Sequence, residues 1–240
     1  IIKLMNNNTI KRQIIAIGGG GFGRDAKHTK IEKYILDQTK KDNPNVLFLP
    51  TASAEDKSYI DNYYACFESL NCKPNHISFF ARTPRLNGLF NKADVIYVGG
   101  GNTKSMLAVW KDWKLDKLLL KAYKRGAILC GVSAGAICWF ELGITDSWES
   151  ELKVLDCLNM LPGCCSPHYN GEEDRKPSIF NMISKNKISS CYAIEDGAAL
   201  HYKNNKLLAG VSFYEGAQAF KLSKSNEMVI ESPIKMTNIH

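Results

Sequence analysis

The sequence predicts an α/β fold: a mostly parallel sheet flanked by helices, carrying an antiparallel extension toward its C-terminal end. Three observations carry that expectation. Short apolar runs at 13–17, 46–50, 94–98 and 127–130 alternate with longer amphipathic segments, the rhythm of βαβ units. Three of these runs lead into glycine, where a parallel strand gives way to a loop at its carboxyl end. From Ser190 the texture changes to short strands at 191–195, 198–202, 207–211, 218–222 and 227–230, with Asn204-Asn205 as a hairpin turn.

Taken in order, residues 1–12 read as a polar, asparagine-rich arm, and 13–240 as one domain with no linker to divide it. The strand at 13–17 runs into Gly18-Gly19-Gly20-Gly21-Phe22-Gly23, which formally fits the dinucleotide pattern Gly-x-Gly-x-x-Gly. That fingerprint needs a carboxylate at the end of the second strand to hold a ribose. Here the second strand, 46–50, is followed by Thr51-Ala52-Ser53, so the glycine run reads as a flexible turn. Residues 30–41 repeat apolar positions at helical spacing through Ile31, Tyr34 and Ile35. The segment 58–70 does the same through Ile60, Tyr63, Tyr64, Phe67 and Leu70, aromatics that belong to a core. A third strand at 76–80, a fourth at 94–98, one helix through 104–124, and a strand, turn and helix over 126–141 follow. Next come a loop at 142–148 with Glu141 and Asp146 close by, an apolar stretch at 152–161, and a helix at 174–185 with Arg175 in its first turn.

Composition narrows the function classes. Hydrophobic residues at 45% supply a core, and the net charge of +7 is spread over scattered lysines with no dense basic tract interleaved with aromatics, which argues against nucleic acid as a partner. No run of 18 apolar residues or secretory leader is evident, so neither a membrane nor an oxidising compartment is expected, and the chain is read as cytoplasmic. The eight cysteines include no Cys-x-x-Cys pair, so neither a metal site nor a disulfide framework is expected.

The stretch that carries chemistry is Gly131-Val132-Ser133-Ala134-Gly135, which fits Gly-x-Ser-x-Gly between a buried strand and a helix. Such an elbow lifts a serine hydroxyl off the end of a sheet, and its glycines remove β-carbons that would collide in the turn. The Ala134 amide, at the positive end of the new helix, is free to face an oxyanion. One βα unit earlier, Gly99-Gly100-Gly101-Asn102-Thr103 can turn the Gly100 or Gly101 amide toward the same spot, with Asn102 or Thr103 capping the helix. A serine needs a base to take its proton and a carboxylate to orient that base. Of His28, His76, His168, His201 and His240, His168 follows a proline in a loop placed to lie over the sheet edge, and is the best base. A structural histidine is the rival reading.

Val98-Gly99-Gly100-Gly101-Asn102-Thr103, Gly131-Val132-Ser133-Ala134-Gly135-Ala136 and Pro167-His168-Tyr169, in this order and spacing, resemble the peptidase E (aspartyl dipeptidase) family of serine peptidases, which includes cyanophycinases. The resemblance runs from the first strand to about residue 220. It implies a flavodoxin-like, class I glutamine amidotransferase-like three-layer sandwich. It also implies Ser133 as nucleophile, His168 as general base, and the amides of Gly100 or Gly101 and Ala134 as oxyanion hole. The third triad member maps onto Asp146, with Glu141 as the alternative. Arg175 stands where the family places an arginine that grips an acidic N-terminal residue, and Asn102 is carried with it as substrate-binding. The expected activity is hydrolysis of short peptides, dipeptides with an N-terminal Asp above all, with no metal or organic cofactor, by a monomer or homodimer. The alternatives are cyanophycinase-like or other acyl hydrolysis on the same triad, and a non-catalytic ligand-binding relative.

Overall fold

The computed structural model describes residues 11–148, 151–226 and 228–239; most of the predicted N-terminal arm, and His240, lie outside the described residues. Two sheets form. The larger has eight strands in the order β14-β11-β10-β1-β5-β4-β2-β3, where β1 is Gln13–Ile17, β2 Asn45–Leu49, β3 Lys73–His76, β4 Val95–Val98, β5 Ile128–Val132, β10 Ala198–Lys203, β11 Lys206–Ser212 and β14 Met236–Asn238. Strands β1 to β5 run parallel, and β10 adds antiparallel to β1.

The two faces of that sheet follow from side-chain alternation. Ile14, Ala16, Leu47, Leu49, Ile96, Val98 and Leu129 point to one face, against α3 (Leu86–Lys92), α4 (Thr103–Asp112) and α5 (Leu115–Arg125). Ile15, Ile17, Val46, Phe48, Val95, Tyr97, Ile128 and Cys130 point to the other, against α1 (Lys30–Thr39) and α2 (Lys57–Phe67). The aromatics of 58–70 are core, as their spacing requires: Tyr63 and Phe67 are buried, and Tyr63 stacks on Phe48 at 4.6 Å.

The second sheet has six strands, β13-β12-β9-β8-β6-β7: β6 Phe140–Thr145, β7 Lys153–Asp156, β8 Leu161–Ser166, β9 Ser190–Ile194, β12 Ala219–Ser225 and β13 Met228–Pro233. The C-terminal strands therefore divide between two sheets instead of extending one. Helix α7 (Arg175–Ser184) covers this sheet through Ile179, Met182 and Ile183.

Three local expectations change. The single helix over 104–124 is broken in two, because Lys114 adopts a left-handed conformation (φ 55°) between α4 and α5. The helix after the elbow, α6 (Ala134–Ile137), is one turn long and gives way at once to β6, so Glu141 lies in a strand. The third strand ends at His76 instead of beginning there. The Asn204-Asn205 hairpin has both residues at positive φ, 51° and 64°, as a tight turn between β10 and β11 requires.

Candidate active site

The order β1-β5-β4 places the carboxyl ends of three parallel strands side by side, and each ends in a glycine-bearing turn. Ser133 follows β5 at φ 57°, ψ −112°, a backbone conformation that costs on the order of 1–3 kcal/mol in a non-glycine residue. Its surroundings hold it there. The Ser133 N–H donates to the Ile17 carbonyl at 3.0 Å, and the Ser133 carbonyl accepts from Ala136 N–H at 2.8 Å. A β-carbon on Gly131 would come within 2.5 Å of the Gly135 carbonyl oxygen, and one on Gly135 within 2.2 Å of the Val98 oxygen. The turn closes only with glycine at both positions.

The second sheet delivers His168 and a carboxylate beside it. Strands β8 and β9 pair in parallel, with Ser166 opposite Ala193, so the loops leaving them travel together toward the elbow. His168, itself at φ 52°, places Nε2 2.8 Å from Ser133 Oγ. Its Nδ1 lies 2.6 Å from Asp196 Oδ1. An ionised carboxylate only accepts, so Nδ1 carries the imidazole proton and Nε2 is left to accept from the serine hydroxyl. Burial pushes the Asp196 carboxyl up, but His168 and Arg24 outweigh it and hold the group below its usual value. The backbone N–H of Asp196 donates to Asn170 Oδ1 at 3.0 Å.

The carboxylate on His168 is thus Asp196, and the expectation of Asp146 or Glu141 is corrected. Glu141 is exposed in β6, and its Oε2 accepts from Gly163 N–H on the neighbouring strand. Asp146 is exposed and lines a separate cavity of about 600 Å³ with Glu151, Glu172, Glu173 and Asp174. The resemblance mapped the third member onto the carboxylates just after the elbow. The pairing of β8 with β9 brings in one 63 residues away.

The glycine run after β1 is the seat of this pair. Gly19 bridges Asp196, and its carbonyl accepts from Gly197 N–H at 2.8 Å. Gly18 N–H donates to the Ala198 carbonyl at 3.0 Å, and a β-carbon there would sit 2.2 Å from the Glu195 carbonyl oxygen. Two sheets meet backbone to backbone here, which accounts for the glycines without a dinucleotide. The run is itself anchored from behind: Phe22 N–H donates to Oε1 of the buried Glu32 at 2.9 Å.

Opposite the elbow, Gly100 approaches the serine so closely that a β-carbon would meet Ser133 Cβ at 3.3 Å. Its amide donates to the Tyr59 hydroxyl at 3.2 Å. Gly101, at φ 131°, has no room for a side chain against the Ala52 carbonyl. Among the described residues the amides of Gly101 and Ala134 have no hydrogen-bond partner, which leaves both able to donate to an oxyanion.

Asn102 caps α4, one of the two positions the sequence offered for that cap. Its Oδ1 accepts from Ser105 N–H at 2.8 Å as the cap of α4, and its Nδ2 donates to the Ser147 carbonyl at 2.7 Å. Both ends of the amide are engaged, so its role is to cap the helix and tie down the 145–148 loop. Arg175 is 2% exposed, with Nε donating to Glu172 Oε2 at 2.9 Å and a terminal nitrogen to the buried Ser166 Oγ at 3.3 Å. The guanidinium that stands open to solvent beside Asp196 is that of Arg24, whose NH1 lies 2.6 Å from Asp196 Oδ2. The other described histidines have other partners: His28 meets Asp25, His76 meets Tyr64, and His201 sits in β10 between Tyr34 and Gln13, where burial lowers it to about 4.

Residues 14–209 match peptidase family S51. The chain is 44% identical over 224 residues to the uncharacterized peptidase YgaJ of Bacillus subtilis, covering 93% of this chain and 97% of that protein. It is 29% identical over 128 residues to peptidase E of Pasteurella multocida, 49% of this chain and 54% of that one. In fold it is similar to a peptidase E protein from Listeria monocytogenes (TM-score 0.65, 20% identity, 85% of this chain and all of that one). It is likewise similar to a peptidase from an acI-B1 Actinobacterium (TM-score 0.70, 15% identity, 92% of this chain and 94% of that one). On the extent of the family match and the near full-length relationship to YgaJ, the chain belongs to peptidase family S51 and is a peptidase.

Proposed function

We propose that this peptidase is a serine exopeptidase acting on short peptides through Ser133, His168 and Asp196. The observation that carries the reading is the continuous chain from Ser133 Oγ to His168 Nε2 (2.8 Å) and from His168 Nδ1 to Asp196 Oδ1 (2.6 Å). Ser133 Oγ attacks the scissile carbonyl while His168 takes its proton, and Asp196 holds the imidazole in the required tautomer and supports its positive charge. The oxyanion is received by the amides of Ala134 and Gly101, with Gly100 joining them if Tyr59 yields its amide. His168 then gives the proton to the leaving amine, and water repeats the sequence on the acyl-enzyme.

The substrate part of the proposal is a dipeptide with an acidic first residue. It is supported by the resemblance to peptidase E and by Arg175, whose guanidinium lies behind the half-exposed Glu172 carboxylate. In this reading the substrate carboxylate takes the place of Glu172 on a fork already oriented by Ser166, a bidentate match that lysine does not offer. A panel of dipeptides with acidic, neutral and basic first residues tests it, wild type beside Ser133→Ala. Ser133-dependent cleavage confined to acidic first residues supports both parts. Ser133-dependent cleavage of neutral or basic ones instead keeps the triad and discards the substrate.

A further inference from the structure

The triad carboxylate has two oxygens, and both are taken. Oδ1 receives His168, and Oδ2 receives NH1 of Arg24 at 2.6 Å, one hydrogen bond on each oxygen. Asp196 is largely covered, at 17% side-chain exposure, whereas Arg24 is 58% exposed. The arginine is not free to wander, because its backbone closes a tight turn: Arg24 N–H donates to the Gly21 carbonyl at 3.0 Å, and Asp25 N–H to the same oxygen at 3.1 Å. Glu32 fixes the start of that turn through Phe22, and Gly19 fixes its other side on Asp196. The loop after β1 therefore both seats the carboxylate and reaches over to hold it.

We propose that Arg24 is a positioning residue of this peptidase, fixing Asp196 so that Oδ1 stays on His168 and offsetting part of the negative charge the imidazole sees. This rests on the Ser133-His168-Asp196 reading. Two consequences follow from elementary electrostatics. Without the guanidinium Asp196 is free to rotate about its terminal torsion, and the fraction of time it orients the imidazole falls. Without the positive charge the carboxylate acts on His168 uncompensated, so the imidazole keeps its proton to higher pH. The other ionisable groups nearest the pair do not replace Arg24. Tyr214 covers Gly20 and Gly197 with its ring, and Glu195 turns its Oε2 to Gln218 N–H. As a contribution to stability such an open ion pair is small, so its removal leaves the fold in place.

The test needs no knowledge of the natural substrate. Phosphorylation of Ser133 Oγ by diisopropyl fluorophosphate, with fluoride as the leaving group, reports the same deprotonation, and its second-order rate constant is measured against pH. Wild type, Arg24→Ala, Arg24→Lys and Ser133→Ala are compared. The expected result is that Arg24→Ala reacts about 5–10-fold more slowly at pH 7, with its acid limb moved to higher pH by roughly half a unit to one unit. That displacement shrinks in 1 M salt, where charges are screened within about 3 Å. Arg24→Lys, which keeps the charge, holds the limb near wild type. A profile for Arg24→Ala superimposable on wild type overturns the proposal, and so does a uniform loss at every pH with the limb unmoved. A wild-type protein that does not react at Ser133 overturns the triad reading instead, and takes this inference with it.

Discussion

Gly19 lies directly against Asp196: a β-carbon added at Gly19 would fall 1.9 Å from the carboxylate Oδ1 and 2.9 Å from His168 Nδ1. The smallest side chain possible at this position therefore displaces the hydrogen bond between Asp196 and His168. Gly19→Ala is expected to lower kcat by about 10²-fold, the cost of moving a catalytic group by an ångström or so. Gly88→Ala, where the new methyl meets nothing within 4 Å, is the control and retains wild-type turnover. Steady-state kinetics on one peptide with both variants checks this.

Asp196→Asn puts an amide where the imidazole requires an acceptor, and favours the wrong tautomer of His168. Turnover is expected to fall about 10⁴-fold near neutral pH. Asp146→Asn and Glu141→Gln, which remove carboxylates that do not touch His168, stay within about threefold of wild type, a margin set by how little an exposed charge contributes. The three variants measured side by side assign the third triad member.

The part of the fold carried by local pattern was legible in the sequence. Alternation in 13–17, 46–50 and 94–98 marks the parallel strands, and the glycines flanking Ser133 mark the elbow, because both are short-range constraints. Asp196 was not legible. It follows β9 in a stretch with no motif, and reaches His168 only because β9 pairs with β8 in a second sheet. The signal that pointed to it was the glycine run at 18–21, read as a loose turn. So much glycine beside a strand end marks a close backbone approach, and the approaching chain is 194–197. Arg175 was placed correctly at the start of α7, yet its burial against Ser166 depends on the end of β8 and could not be read from helix spacing.

Burial raises the Glu32 carboxyl to about 7, and one of its oxygens, Oε2, has no hydrogen-bond partner among the described residues. In the unfolded chain the same group titrates near 4.5. Between these values the native state holds a proton that the unfolded state has released, so stability falls as pH rises through that window and levels off above it. The loss is on the order of 3 kcal/mol. Glu32→Gln keeps an acceptor for Phe22 N–H and carries no charge. Urea unfolding at pH 5 and pH 8 is expected to show the fall in wild type and a much flatter profile in the variant.

Arg175 is buried between Ser166 and Glu172, so its removal is a structural loss whatever its part in recognition. Arg175→Ala strands the Ser166 hydroxyl in the interior and leaves a void, and is expected to cost about 2–4 kcal/mol by denaturant unfolding. Glu172→Gln leaves Arg175 in place with a weaker partner and costs less than about 1.5 kcal/mol, because Glu172 is 44% exposed. If acidic substrates replace Glu172 on the guanidinium, the same variant lowers KM for them.

The most direct measurement of the account is where a serine-directed phosphonate attaches. Peptide mapping by mass spectrometry after treatment of the folded protein is predicted to place one adduct on Ser133. It is predicted to find none in Ser133→Ala, and to show the wild-type adduct forming about 10³-fold or more slowly in His168→Ala. An adduct on another residue, or labelling at Ser133 that is equally fast without His168, contradicts the Ser133-His168-Asp196 mechanism.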